Sequence, residues 1–376
     1  MKTKKEELKK IRSLRTISSP QRIAGNFLKY NLRRASAKPP RPNAMCIYVT
    51  YMCQMRCQMC EIWKMDDKKA HDTELSLSEW GSILADPLFT RLEFINVNGG
   101  EPNLRQDLPK MVELFAEKFP RLRTITMNSN GLPVQRASAN VAEISRICRD
   151  RDIRFSVSIS LHALGSVFDE IVGVPNAYPK VLETLRALKK MQESLPFYLG
   201  VNCVITDTNI DHLHDMLQWS REENIPVNFT LGEVRDRFHN LDTNVMSAIR
   251  THKKKDLLKF LRSLAKNKSL FNQHAYRYRQ LADMIELDKK RRISCHYAMG
   301  GVILGSEGTL YYCKDSRPIG NCRERSAEAL YFDPENLSYR KKELIEKKCR
   351  TCPPNTFNRI ELEKDLLKYI GFLLTK

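Results

Sequence analysis

Between residues 45 and 231 this chain alternates short β-type runs with segments of helical periodicity, and that alternation constrains its fold more than any other feature. The runs cover residues 45–51, 92–98, 122–128, 154–160, 198–205 and 226–231, and each is followed by a stretch with helix periodicity, such as 107–119 or 178–191. Repetition of this kind predicts βα units and a parallel sheet. In parallel α/β folds the chemistry gathers in the loops after the strands, so the residues that directly follow each run carry the most weight. A Pro-rich link, 38–42, precedes the first run. After the last, a Lys- and Leu-rich helical segment at 251–292 gives way to a stretch rich in Gly, Cys and Tyr, which sets an expected domain boundary near residue 290.

Directly after the first run stand Cys53, Cys57 and Cys60, spaced CxxxCxxC on a tight loop. Three nearby thiolates can hold three irons of a cubane, and supplying three ligands of the usual four leaves one iron open to a substrate or cofactor. A structural zinc site is the rival reading, but it wants four closed ligands, and no fourth Cys or His lies close by in this loop. After the second run comes Asn98-Gly99-Gly100-Glu101-Pro102. Its glycines permit close backbone approach, Pro102 stiffens the exit, and Glu101 is an anionic acceptor suited to an ammonium group.

At these two motifs the sequence resembles the radical S-adenosylmethionine (SAM) superfamily. The resemblance implies an α/β fold with a partial (β/α)6 TIM-like barrel and a catalytic [4Fe-4S] cluster on Cys53, Cys57 and Cys60. It also implies reductive cleavage of SAM to a 5′-deoxyadenosyl radical that abstracts a hydrogen atom, fed by an external electron donor such as flavodoxin or ferredoxin. Met59 stands where most members carry an aromatic residue near adenine. Gly99, Gly100 and Glu101 match the element that binds the SAM amino group. Asn130, in Asn128-Ser129-Asn130-Gly131, falls on the family's Thr-Asn-Gly turn, and Ser158 falls where the family often contacts ribose or the methionyl carboxylate. Where related members read Ser-Ile-Asp-Gly and then Ile-Arg-Gly, this chain has Ser158-Ile159-Ser160-Leu161-His162 and then Ile171-Val172-Gly173. His162 is the candidate catalytic residue of this strand end, as acid, base or hydrogen-bond donor, with a structural role as the alternative.

Four further thiols lie beyond residue 290. Residues 300–313 read as a hairpin turning at Gly308, which would bring Cys295 and Cys313 together, and Cys349 and Cys352 supply a CxxC. Spacing alone fits a zinc ribbon or a [4Fe-4S] cluster equally. The arrangement resembles the twitch domain, the shortened relative of the SPASM domain, which implies one auxiliary [4Fe-4S] cluster in a small C-terminal α+β domain. Cys322 is left over as an alternate ligand, a hydrogen-atom donor in catalysis or a bystander. Cys46, Cys148 and Cys203 lie inside predicted elements and read as core residues. The expected organisation is a basic arm at 1–42, a barrel at 43–290, an auxiliary-cluster domain at 291–356 and a terminal helix at 357–376.

The net charge of +19 is uneven: residues 1–42 carry thirteen Lys or Arg against Glu6 and Glu7, an excess of eleven. This arm reads as a solvated leader, as a grip on nucleic acid or a membrane surface, or as a segment packed on the barrel. The positive balance also suits an anionic substrate. No run of about 18 apolar residues occurs, and eleven clustered cysteines suit a reducing compartment, so a cytoplasmic location is expected. The reaction expected is oxidation or a related modification of a sugar, lipid or peptide. The alternatives are an RNA- or peptide-modifying maturase and, from another class, a non-catalytic zinc-binding protein that holds nucleic acid or membrane.

Overall fold

The computed structural model describes residues 25, 28, 38–65, 71–235, 240, 253–268, 272–355 and 365–375. Six strands, β1 (Ala44–Tyr48), β2 (Phe94–Asn98), β3 (Thr124–Ser129), β4 (Arg154–Ser160), β5 (Phe197–Ile205) and β6 (Val227–Leu231), pair in parallel with their sequence neighbours. All six expected runs are present. The first ends earlier than expected because residues 49–51 leave the sheet to begin the cysteine loop.

Helices α1 (Leu77–Ile83), α2 (Leu108–Lys118), α3 (Val134–Asp150), α4 (Gly165–Val172), α5 (Ala177–Met191) and α6 (Leu213–Glu222) fill the connections between these strands. Strand side chains alternate between two surroundings. Ile125, Met127, Val157 and Ile159 are buried in the main apolar core with helix residues such as Met111, Phe115, Ile144 and Leu185. Their neighbours Thr126, Asn128, Ser156, Ser158 and Ser160 line a cavity instead. The same cavity touches Cys46 on β1 and Thr230 on β6, so the sheet curls around it as a partial barrel.

The sheet does not stop at β6 and β1. After α7 (Lys254–Ala265), α8 (Gln273–Leu287) and the short α9 (His296–Gly300), strand β7 (Gly301–Leu304) pairs in parallel with β1, and β8 (Thr309–Tyr311) and β9 (Gly320–Asn321) add antiparallel strands. The resulting order is β6-β5-β4-β3-β2-β1-β7-β8-β9. The expected hairpin is there: the Gly308 N–H donates to the Gly305 carbonyl at 3.1 Å, and Gly308 adopts a φ of 92° that favours glycine. Residues past 290 thus complete the barrel's own sheet, with β1 buried between β2 and β7.

At the other end β6 is an edge strand, whose unpaired backbone groups need cover. Asn355 supplies it. Its amide accepts from the Leu231 N–H and donates to the Leu231 carbonyl, both at 2.9 Å. The final helix, α11 (Leu366–Leu374; α10 is Ala327–Tyr331), lays Tyr369 and Phe372 on Tyr276 of α8 at ring distances of 5.8 and 5.3 Å.

Most of the basic arm, with the nucleic-acid or membrane role expected of it, lies outside the described residues. Its end is held: Lys38 sits over the Phe332 ring at 4.8 Å and Arg41 pairs with Glu328 of α10 at 2.7 Å. Among the described residues no helix is long and apolar enough to cross a membrane.

Candidate active site

The cysteine loop is held by its backbone and by Gln54, whose amide donates to the Leu132 carbonyl at 2.8 Å. Arg56 and Gln58 donate their N–H groups to the carbonyls of Val172 and Ile171 at 2.8 and 2.9 Å, so the end of α4 forms its floor. Gly173 follows with a φ of 62°, and a Cβ there would press on the Arg56 carbonyl at 2.8 Å. From the other side the glycine motif binds back: the Gly100 N–H donates to the Thr50 carbonyl at 2.8 Å and the Glu101 N–H to the Met52 carbonyl at 2.7 Å. A side chain at Gly99 or Gly100 would collide with the carbonyl oxygens of Thr50 or Met52, which is why this contact needs two glycines. Buried Arg105 completes the frame, donating to the Val49 and Leu75 carbonyls at 2.9 Å and pairing with Asp107 at 2.6 Å.

So framed, Cys53, Cys57 and Cys60 line the mouth of a cavity of about 810 Å³ together with Met59, Gly99, Gly100, Asn130, Ser158 and His162. Burial, with smaller contributions from neighbouring negative charge that includes Cys60, raises the Cys53 thiol to about 12, and burial followed by repulsion from Cys60 and Cys53 raises Cys57 well above its ordinary range. Thiols crowded in this way keep their protons unless a metal takes the charge, which fits an iron–sulfur centre. Among the described residues no three His, Cys, Asp or Glu side chains converge into a site for a single metal ion.

Glu101 is held by its neighbours. Its carboxylate is fully buried and already satisfied, accepting from the Asn103 N–H (3.0 Å), the Asn103 amide (2.7 Å), the Ser129 hydroxyl (2.9 Å) and the Asn130 N–H (2.6 Å). It does not line the cavity, where an ammonium group would be met; it fixes the β3 turn against the glycine motif. Burial raises it to about 7 despite those donors. Asn130 is held by this network, and its side chain donates to the Cys53 sulfur at 3.8 Å.

His162 lines the cavity with its Nδ1 accepting from the Val204 N–H at 3.1 Å, which leaves the ring proton on Nε2. Burial lowers it to about 4, so near neutral pH it is an uncharged hydrogen-bond donor rather than an acid. Below the mouth the lumen is lined by amides and hydroxyls in registered layers. Asn96, Thr126, Ser156 and Tyr198 form one, Asn98, Asn128, Ser158 and Gly200 the next, and Ser160, Asn202 and Asn228 a third. Asn98 donates to Asn96 between the first two layers, and within layers Asn128 donates to Asn98 at 2.7 Å and Asn228 to Asn202 at 3.1 Å. Fully buried Arg277 holds the Asn228 oxygen at 2.7 Å and the Asn355 carbonyl at 3.1 Å.

The second thiol set also assembles. Cys295, Cys313, Cys349 and Cys352 line one small cavity of about 30 Å³. Burial and then repulsion from the other three raise Cys349 to about 12. Cys322 is not brought into either cavity. It sits just after β9 with its N–H on the Gly308 carbonyl at 2.8 Å, its thiol protonated by burial and by Asp86, so a catalytic or ligand role at these sites has no geometric basis. Cys46, Cys148 and Cys203 are buried, as core residues are. Glu233, Arg235, His274, Arg277, Arg291 and Asn355 are site residues that sequence reasoning missed; only their flanking elements gave any signal.

A sequence model of the Radical SAM superfamily matches residues 47–220. A probable GTP 3′,8-cyclase of Sulfolobus acidocaldarius is 26% identical over 180 residues, 48% of this chain and 52% of that protein. PqqA peptide cyclase of Bradyrhizobium diazoefficiens is 26% identical over 180 residues, 48% of this chain and 43% of its own. The match therefore spans about half the length of each relative. Among solved structures, Streptococcus suis SuiB bound to S-adenosylmethionine superimposes with a TM-score of 0.56 at 14% identity, over 89% of this chain and 78% of that one. The enzyme anSMEcpe with bound AdoMet and the Cp18Cys peptide gives 0.54 at 16% identity, over 88% and 98%. At such identities the likeness is one of fold.

Proposed function

Residues 47–220 are a radical SAM domain, and from that premise we propose that the protein oxidises a polar substrate held in the barrel lumen, using one [4Fe-4S] cluster on Cys53, Cys57 and Cys60 and an auxiliary one on Cys295, Cys313, Cys349 and Cys352. Cys53, Cys57 and Cys60 would hold a cluster that, given an electron from an external donor such as flavodoxin or ferredoxin, would supply reductive cleavage of SAM to a 5′-deoxyadenosyl radical able to take a hydrogen atom from the substrate. A two-electron oxidation would also need loss of one electron and one proton, and a [4Fe-4S] cluster held by Cys295, Cys313, Cys349 and Cys352 would supply an acceptor for that electron.

The observation that carries this reading is a single cavity with the three thiols at its mouth and Glu233 in its wall, beyond which Arg235 reaches the second thiol set. The chain's own groups divide the work. The Gly99 and Gly100 backbone, Met59 and Ser158 form the cofactor face, Asn130 donates to Cys53, and His162 offers a neutral donor. Amides and hydroxyls of the lumen suit hydroxyl or amide groups on the substrate, and Met45, Trp63, Phe94 and Val227 give the same wall apolar surface for its carbon skeleton. The described lining residues include Glu233 and no Lys or Arg, which favours a neutral or cationic substrate over an anionic one.

The test is metal content and EPR of anaerobically reconstituted protein. About eight irons are expected, falling to about four in a Cys53→Ala/Cys57→Ala/Cys60→Ala variant that no longer cleaves SAM, and to about four in Cys349→Ala/Cys352→Ala that still does. Zinc in place of iron at either site overturns the reading.

A further inference from the structure

A buried charged cluster runs from the wall of the large cavity to the second thiol set. Glu233 is the one carboxylate among the described residues lining the large cavity. It accepts from Arg235 at 2.9 and 2.7 Å and from Lys314 at 2.5 and 2.7 Å. The Arg235 Nη2 that binds Glu233 also lies 4.0 Å from the Cys352 sulfur, which receives Arg291 at 3.7 Å as well, while Arg235 Nη1 pairs with Asp315. Arg235 is thus shared between a cavity carboxylate and a thiol of the second set. Fully buried Asn240 accepts from the Arg235 N–H at 2.8 Å and donates to the Glu233 carbonyl at 2.9 Å and the Met59 carbonyl at 2.8 Å.

We propose that Arg235 is an electrostatic relay through which charge at the Glu233 wall of the substrate cavity sets the reduction potential of the four-cysteine centre. The inference rests on the proposed auxiliary cluster. A guanidinium hydrogen-bonded to a cluster thiolate stabilises the more negative, reduced state and raises the potential. Glu233 competes for the same guanidinium, and at this burial the competition is weakly screened. A substrate hydroxyl or ammonium that donates to Glu233 draws its charge away from Arg235, leaves more of the cation's field on Cys352, and makes the centre a better electron acceptor while the cavity is filled. Arg235 is a positioning residue here, since it touches neither substrate nor cluster iron.

The experiment is an EPR-monitored redox titration of reconstituted full-length protein in the Cys53→Ala/Cys57→Ala/Cys60→Ala background, where one centre remains. Arg235→Gln is expected to lower the potential and Glu233→Gln to raise it, while Glu233→Gln added to Arg235→Gln is expected to have little further effect. Arg291→Gln should lower the potential yet preserve the response to Glu233→Gln. Arg235→Lys, which keeps the charge, serves if Arg235→Gln fails to load, and is expected to fall between wild type and Gln. A Glu233→Gln shift that is absent, or that persists undiminished without Arg235, overturns the relay. Absence of any cluster in the triple-alanine background instead overturns the auxiliary-centre reading on which it stands.

Discussion

At the scale of single residues, burial decides what each polar group can do, and burial is what a sequence shows least. The Gly-Gly-Glu-Pro motif was legible, but which way its carboxylate turns was not: Asn103 of its own loop and Ser129 and Asn130 of the turn after β3 converge on Glu101. Histidine shows the same principle with a measurable consequence. His162 and His274 are both lowered from 6.5 to about 4 by burial, His274 with help from Arg277. Between those values the unfolded chain binds protons that the folded chain refuses. The stability is therefore complete above about pH 6.5 and lost as pH falls toward 4. A tenfold difference in proton affinity corresponds to about 1.4 kcal/mol, so the pair contributes a loss on the order of several kcal/mol across the window. Melting temperature should fall from about pH 7 to about pH 5 more steeply in the wild type than in His162→Asn or His274→Gln, read by thermal circular dichroism. Equal slopes in all three proteins would show that neither imidazole is held neutral. No inflection from His162 is expected in SAM cleavage above about pH 5.

At the scale of elements, the six βα units were legible because each carries its own period, with strand residues alternating between helix layer and lumen. What was not legible is what closes the open side of the sheet. Among the described residues strand β6 meets no seventh barrel strand; a single amide, Asn355, three residues after Cys352, takes both Leu231 backbone groups, and Arg277 of α8 holds the Asn355 carbonyl. Pairing across more than a hundred residues through one side chain leaves no periodic trace. Replacing Asn355 by Leu should strand a buried N–H and a buried carbonyl, costing about 2–4 kcal/mol. Hydrogen exchange at the Leu231 amide is the direct readout. Faster exchange there, with β1 to β4 unchanged, is the expected result, and unchanged exchange would mean that solvent or another group already satisfies this edge.

At the scale of the whole molecule, the composition change near residue 290 marks a change of chemistry without marking a break in the sheet. β1 is buried throughout and bonded on both sides, to β2 and to β7, although β7 begins more than 250 residues later. Four residues, Gly301–Leu304, are too few to announce such a partner in advance. The two thiol sets are accordingly parts of one folded unit, fastened by β7 on one side of the opening and by Arg235, Arg277 and Asn355 on the other. A chain ending at residue 290 would expose the edge of its most buried strand together with the apolar surface that β7 and Leu310 now cover. Such a fragment should fail to unfold cooperatively and should aggregate on removal of denaturant, whereas the full chain refolds. Should the fragment instead melt in one transition and bind about four irons on Cys53, Cys57 and Cys60, the barrel would be an independent domain and the β1–β7 pairing a docking contact rather than part of its core.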